Sequence, residues 1–340
     1  MSGDRSRRIP SLDGWRGIAI ILVLIDHIQN SLLRHYARPW TETGYHGVTI
    51  FFVLSGFLIT SNLLKGPINL RNFYLRRFWR LMPTAWAYLV VLLLFALITR
   101  NRFITEPREV ISCLFFYRNF LGGIGLAGHF WSLSVEEQFY LVWPVIMFFA
   151  GIRRCRWIAL VGALGCAVFR QVSWKHYSHT FPMGPTFLHA DGLLVGCLLA
   201  LLFADERIRL RIARWSRFCA LPAFIILILS LYLQNEETLF LEQISIACLI
   251  AATTLHPTAV FARPLSFQSL TWFGTISYSV YIWHGLFMFS HSPLAIFVFM
   301  PLFALAGYHL IERPSTRLGH TLTLASPKDF PSETDAFMLS

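Results

Sequence analysis

Charged residues are scarce in this chain of 340 residues. Asp, Glu, Lys and Arg make up 14% of the sequence, while hydrophobic residues make up 55%. The charged share is about half of that in an ordinary soluble domain. No polar or Pro/Gly-rich linker divides the chain. These shortages argue against a soluble multidomain protein, and they predict one all-α, polytopic transmembrane helix bundle.

Paired cysteines and the common nucleophile motifs are also missing. The six cysteines are scattered, with no CxxC pair and no metal-ligand spacing, so we expect no metal site. No Ser-His-Asp or Cys-His arrangement is evident, which disfavours a seryl or cysteinyl enzyme intermediate. The first apolar run has no small-residue cleavage site after it, and we therefore interpret it as an uncleaved span.

The positive charge is distributed along the chain in a pattern typical of membrane proteins. The formal net charge is +11, and the arginines cluster in short segments between apolar runs. Such clustering fits membrane topology and anionic headgroups, so the expected partner is the lipid bilayer and not nucleic acid. Most of the basic segments fall on one side if the N-terminus is cytoplasmic. We expect a multi-pass protein of the cytoplasmic membrane with both termini in the cytoplasm.

Apolar runs divide the chain into about ten predicted spans. They lie near 15–33, 45–63, 83–99, 133–150, 157–170, 186–204, 219–234, 240–256, 274–290 and 293–311. Another apolar piece, 110–121, is predicted to be re-entrant or interfacial. Residues 1–314 then form the transmembrane domain, and the polar residues 315–340 are predicted to be a disordered cytoplasmic tail.

The first span carries two polar residues that lipid does not favour. Arg16 and His27 are eleven residues apart. Eleven helical steps of about 100° bring both side chains to one face, with a rise of about 16 Å. Ionisable residues inside a span are costly and commonly functional. The alternative is that Arg16 extends to the surface and His27 bonds a neighbouring helix.

Two later stretches are further candidates. Arg76, Arg77 and Arg80 lie in an aromatic-rich segment, where they would either anchor the cytoplasmic side or bind phosphate groups. Glu136 enters the fourth span, where it would either orient a histidine of another helix or bind water at headgroup level. Small residues after Leu54, including Gly56, are expected to permit close helix packing.

The order of these motifs resembles the acyltransferase-3 family of integral-membrane O-acyltransferases. The resemblance rests on SLDGWRGIAIILVLIDH, GVTIFFVLSGFLIT, FYLRRFWRLMP, HFWSLSVEEQFYLVWP, the Asp191–Gly196 stretch, GTISYSVYIWH and IERP, which together cover about residues 9–314. It implies transfer of an acyl group, often acetyl, from cytosolic acyl-CoA to hydroxyls of envelope or secreted glycans. It also implies that Arg16 and His27 are the essential pair.

Some features depart from the family pattern. Thr49 and His189 stand where the family often has an acidic residue and an arginine, which bears on contacts to the acceptor. Some members carry an additional extracytoplasmic domain, and the short tail leads us to expect a standalone membrane module.

Two functions follow as hypotheses. In the first, the three arginines and Arg16 hold acyl-CoA, His27 is the general base, and Glu136 orients or stabilises its imidazole. The acceptor would be a carbohydrate or a lipid-linked sugar. Direct transfer is favoured, and a covalent acyl-histidine stays open as an alternative. In the second, His27, Asp191 and Arg16 line the path of a transporter or flippase. No convincing internal repeat supports the second function.

Overall fold

The computed structural model describes residues 9–32, 43–99, 107–121, 125–180, 184–233, 238–288 and 290–324. Within these ranges the secondary structure is helical and contains no strand. The all-α fold class predicted from the sequence is therefore confirmed.

Eleven α-helices make up most of the described chain. They are α1 (Pro10–Leu32), α2 (Thr43–Leu63), α3 (Leu70–Thr99), α4 (Pro107–Leu114), α5 (Phe130–Thr180), α6 (Ala190–Phe203), α7 (Glu206–Leu233), α8 (Leu239–Leu255), α9 (Gln268–Met288), α10 (Met300–Ala306) and α11 (Arg313–Leu324). The π-helical turns Ala295–Phe299 and Gly307–Glu312 flank α10. α5 consists of two helices that meet at Gly151, whose φ of 72° breaks the helical geometry.

Each predicted span overlaps a helical segment of the structure, but α3 and α7 begin 13 residues before the spans predicted at 83–99 and 219–234. α5 supplies two of them, one on each side of Gly151. By length and composition, four helices of the described chain could cross a membrane: Thr43–Leu63, Leu70–Thr99, Glu206–Leu233 and Ala295–Thr323. The predicted number of about ten crossings is not confirmed by this criterion. One physical reason is length, because α6 and α8 are apolar but have fewer than 18 residues each.

The centre of the bundle is held together by very close helix packing. α1 packs against both α2 and α9, and α2 packs against α6. At Gly56 a Cβ atom would lie 1.9 Å from the main-chain oxygen of Leu193, and at Gly196 it would lie 2.0 Å from that of Val53. Only glycine fits such backbone contacts, so the close approach predicted at Gly56 is present.

A buried ion pair joins the second half of α5 to α6. Arg170 Nη1 lies 2.5 Å from an Asp191 carboxylate oxygen, and both side chains are fully buried. Arg170 Nη1 also donates to the carbonyl of Leu188. Asp191, which the transporter hypothesis uses, is therefore engaged in a contact between helices.

The chain after residue 314 differs from the predicted disordered tail. Residues 315–324 belong to α11, which packs against α3. A Cβ atom at Gly319 would lie 2.8 Å from Cβ of Trp79, so the two helices are in close contact. Packing against α3 stabilises a helix that its polar composition alone does not predict. Residues 325–340 lie outside the described part of the chain.

Candidate active site

Three histidines from separate parts of the chain meet inside the bundle. His27 belongs to α1, His284 belongs to α9, and His129 immediately precedes α5. The ring centroids of His27 and His284 are 4.8 Å apart, and those of His129 and His284 are 4.9 Å apart. We refer to His27, His129 and His284 as the histidine cluster.

Main-chain hydrogen bonding fixes the tautomer of His27. Its Nδ1 lies 2.8 Å from the carbonyl oxygen of Val23, one helical turn earlier. Because a carbonyl can only accept, Nδ1 carries the proton and donates it. In the neutral ring, Nε2 therefore has the lone pair and can act as a base. The carboxylate beside this imidazole is that of Asp26, 3.9 Å from Nδ1.

The start of α1 holds a separate charged group. Arg16 lies 4.0 Å from Asp13, and the side chains of both are partly exposed. The positive charges of Arg80 and Arg16 act on the carboxylate of Glu312, which also accepts a hydrogen bond from Ser279 at 2.8 Å. Arg16 and Arg80, one of the predicted donor-binding residues, are therefore within electrostatic range of the same carboxylate. His27 lies further along the same helix, by about 16 Å.

The three neighbouring arginines on α3 have different environments. Arg77 is engaged by Glu137, to which its Nε and Nη2 donate at 3.2 and 3.0 Å. Its guanidinium also lies over the ring of Tyr140. Arg76 is exposed, and its Nε donates to the Asn72 carbonyl of its own helix. Arg76 is therefore more accessible than Arg77 to an external phosphate.

A small cavity lies beside the Arg77–Glu137 pair. Its volume is about 190 Å³, and it is lined by Tyr74, Arg77, Phe78, Met82, Glu137, Tyr140 and Leu141. Pockets that enclose a drug-sized ligand are usually about 300–1,000 Å³. This cavity can therefore hold only a small part of a large donor such as acyl-CoA.

Glu136 has partners other than the histidine cluster. Its carboxylate accepts hydrogen bonds from Ser55 at 3.3 Å and from Tyr140 at 3.1 Å. No hydrogen bond in the described part of the chain joins Glu136 to an imidazole. Glu136 therefore contacts Ser55 and Tyr140, whose ring lies under the Arg77 guanidinium, and does not contact His27.

Sequence reasoning missed most of the surroundings of His27. His129 was not a candidate, and His284 entered the sequence analysis only as the last residue of the motif GTISYSVYIWH. The Tyr281 hydroxyl lies 2.5 Å from the Ser132 hydroxyl and donates to the His129 carbonyl at 3.0 Å, which connects α9 to α5. The spacing of Tyr281 and His284 indicates a shared helix face. Nothing in the sequence, however, indicates that α1 packs against it.

Comparison with known proteins supports the same family. The family model described as an acyltransferase domain matches residues 9–320. YrhL of Bacillus subtilis (strain 168), named provisionally as a peptidoglycan O-acetyltransferase, is 32% identical over 362 residues, covering 91% of this chain and 55% of YrhL. The peptidoglycan O-acetyltransferase OatA of Listeria monocytogenes serovar 1/2a is 29% identical over 314 residues, covering 81% of this chain and 49% of OatA.

The matches to these relatives cover only part of their length. The chain spans about half the length of the curated relatives that it matches. No solved structure matches it. The family match nevertheless includes the histidine cluster, Arg16, Glu136 and the three arginines of α3. The chain therefore belongs to the acyltransferase-3 family.

Proposed function

We propose that this protein is a membrane O-acyltransferase that moves an acyl group, expected to be acetyl, from acyl-CoA to a hydroxyl of a cell-envelope carbohydrate. Family membership and the peptidoglycan O-acetyltransferase OatA support this reaction class. The observation that carries the proposal is the fixed tautomer of His27. Its Nδ1 donates to the Val23 carbonyl, which leaves Nε2 as a base at a partly buried position.

The proposed reaction needs one base and no bound cofactor. His27 Nε2 removes the proton from the acceptor hydroxyl while the hydroxyl oxygen attacks the thioester carbonyl. The new C–O bond forms, the C–S bond breaks, and the leaving thiolate takes the proton back from the imidazolium. The products are an ester and free CoA, and His27 returns to its neutral form.

Donor binding is assigned to the basic group at the start of α1 and α3. Arg16 and Arg80 act on the same carboxylate, that of Glu312, and so form one local cationic region. Guanidinium groups bind phosphate oxygens through paired hydrogen bonds. Arg76 is exposed and can add a further contact, whereas Arg77 is engaged by Glu137. Phosphates bound here would let the pantetheine arm extend along α1 toward His27.

The proposed location is the cytoplasmic membrane, with both termini in the cytoplasm. The distribution of Lys and Arg supports this orientation. It places Arg16 near the cytosol, where acyl-CoA is found, and His27 toward the outer leaflet. A reporter fused after Thr323 should be active in its cytoplasmic form, and activity only in its periplasmic form would contradict the orientation.

The transporter hypothesis requires a path through His27, Asp191 and Arg16. Asp191 instead forms a fully buried pair with Arg170. This arrangement favours the enzyme over the transporter, since an engaged and buried carboxylate is less suited to carry a moving proton.

The test uses the purified full chain with acetyl-CoA and soluble peptidoglycan fragments. We expect release of free CoA thiol together with formation of an acetyl ester on the fragments, detected by mass spectrometry. The matched control is His27→Ala purified to the same monodispersity. Movement of substrate across proteoliposomes without thiol release would overturn the proposal.

A further inference from the structure

The ring of His284 carries a buried acceptor atom that the fold does not satisfy. Its Nδ1 lies 2.5 Å from the carbonyl oxygen of Tyr281 and therefore donates the ring proton there. Its Nε2 is buried and has no hydrogen-bond partner among the described residues. A buried polar atom without a partner costs about 1–3 kcal/mol. Such a cost commonly marks a functional position.

The rings of His27 and His129 are the imidazoles next to His284. The His27 and His284 rings are nearly perpendicular, at 81°, with centroids 4.8 Å apart. In such a pair the edge of one ring faces the other ring. His129 lies on another side of His284, and its own Nε2 is likewise buried without a partner in the described chain.

The protonation state of His27 changes during the proposed reaction. In the neutral ring, Nδ1 donates to Val23 and Nε2 is the base. Once Nε2 has taken the acceptor proton, both ring nitrogens are donors and the ring is positively charged. This charge is present only after proton transfer has begun. A neighbouring neutral acceptor would then stabilise the transition state more than the ground state.

We propose that His284 is a positioning residue for His27, whose imidazolium it stabilises electrostatically by presenting the lone pair of its Nε2 to the positive ring during acyl transfer. This inference rests on the proposed acyltransferase function. It assigns to His284 the role that the sequence suggested for Glu136. His129 packs behind His284 and holds its ring in place.

Tight packing around the cluster means that a purely structural role must be tested as well. A Cβ atom at Gly285 would lie 2.5 Å from Cε1 of His129, so the helix backbone directly contacts this ring. Any bulky change here can disturb folding. The variants must therefore separate loss of the acceptor atom from loss of shape.

The experiment compares His284→Phe with His284→Gln in the purified full chain. Phenylalanine fills the site without an acceptor, whereas glutamine supplies an amide oxygen that can accept. Tyr278→Phe is the matched control, because it removes a hydrogen bond from the same helix to the Leu81 carbonyl, away from the histidine cluster. Thiol release from acetyl-CoA and thermal unfolding are measured for each variant.

We expect His284→Phe to lower kcat by about 10- to 100-fold, the range for a lost polar interaction with a charged group. The KM for acetyl-CoA should not change, and His284→Gln should recover most of the rate. In a His27→Ala background, His284→Phe should cause no further loss, since its effect acts through His27.

Two results would overturn the inference alone. One is an active wild type with an unchanged rate for His284→Phe. The other is an equal fall in rate for Phe and Gln together with lower thermal stability than Tyr278→Phe. Absence of thiol release from the wild type would instead overturn the proposed function, and this inference with it.

Discussion

Neutralising Asp191 should destabilise the bundle strongly, because its partner Arg170 is fully buried. The two side chains meet at 2.5 Å, and neither is exposed. Asp191→Asn preserves the shape of the side chain and one acceptor oxygen but removes its charge. Arg170 would then hold a positive charge in the interior without its carboxylate.

The expected loss can be stated from known buried ion pairs. Removing one partner of such a pair costs about 3–5 kcal/mol, because the remaining charge is uncompensated. On the scale of large soluble domains, this corresponds to a fall in Tm of roughly 6–20 °C. The double variant Arg170→Gln/Asp191→Asn removes both charges. It should therefore recover at least half of the loss.

Buried thiols provide the assay. Cys113, Cys155 and Cys197 are buried and should react with a thiol-specific dye only on unfolding, whereas Cys219 is exposed and sets the baseline. The control is Glu206→Gln, which removes the charge partner of Arg209 in an exposed pair on α7. Such a pair contributes about 0.3–0.5 kcal/mol. An Asp191→Asn curve that overlays this control would refute the role of the buried pair.

Three further predictions concern binding and packing. Replacing Arg76 and Arg80 by Gln should raise the KM for acetyl-CoA more than the KM for the acceptor, and this difference should be larger at low salt. Arg77→Gln should instead mainly lower the yield of folded protein. Equal effects of all three changes on both KM values would contradict this division. Gly56→Ala should reduce thermal stability, because no Cβ fits against the backbone of α6, and an unchanged Tm would show that the helices can separate. Arg16→Lys keeps the charge but loses the planar guanidinium, so the KM for acetyl-CoA should rise while kcat changes little. A lower kcat with an unchanged KM in steady-state kinetics would argue against phosphate binding at Arg16.

Sequence patterns predicted the features that depend on one segment at a time. Apolar runs located the helices, and helical periodicity placed Arg16 and His27 on one face of α1. Gly56 indicated a close helix contact, and the fold has one there. These features follow from local composition and geometry, which do not require knowledge of the neighbouring helices.

Contacts between distant segments were not predictable in the same way. Periodicity shows which face of α9 carries His284, but not that α1 places His27 beside it. The adjacent acids at 136 and 137 look equivalent in the sequence, yet only Glu137 binds Arg77, while Glu136 binds Ser55. Composition also failed for residues 315–324, where packing against α3 forms a helix in a polar segment.

The central claim is that His27 is the general base of acyl transfer from acyl-CoA. It is tested most directly by steady-state kinetics of His27→Ala and the wild type, matched for expression and monodispersity, with acetyl-CoA as donor. Loss of a general base typically lowers the rate by about 10²–10⁴-fold. We predict a fall of this size in kcat with little change in the KM for acetyl-CoA, because the proposed site for the donor phosphates is near Arg16 and not at His27. Near wild-type turnover by folded His27→Ala would contradict the claim.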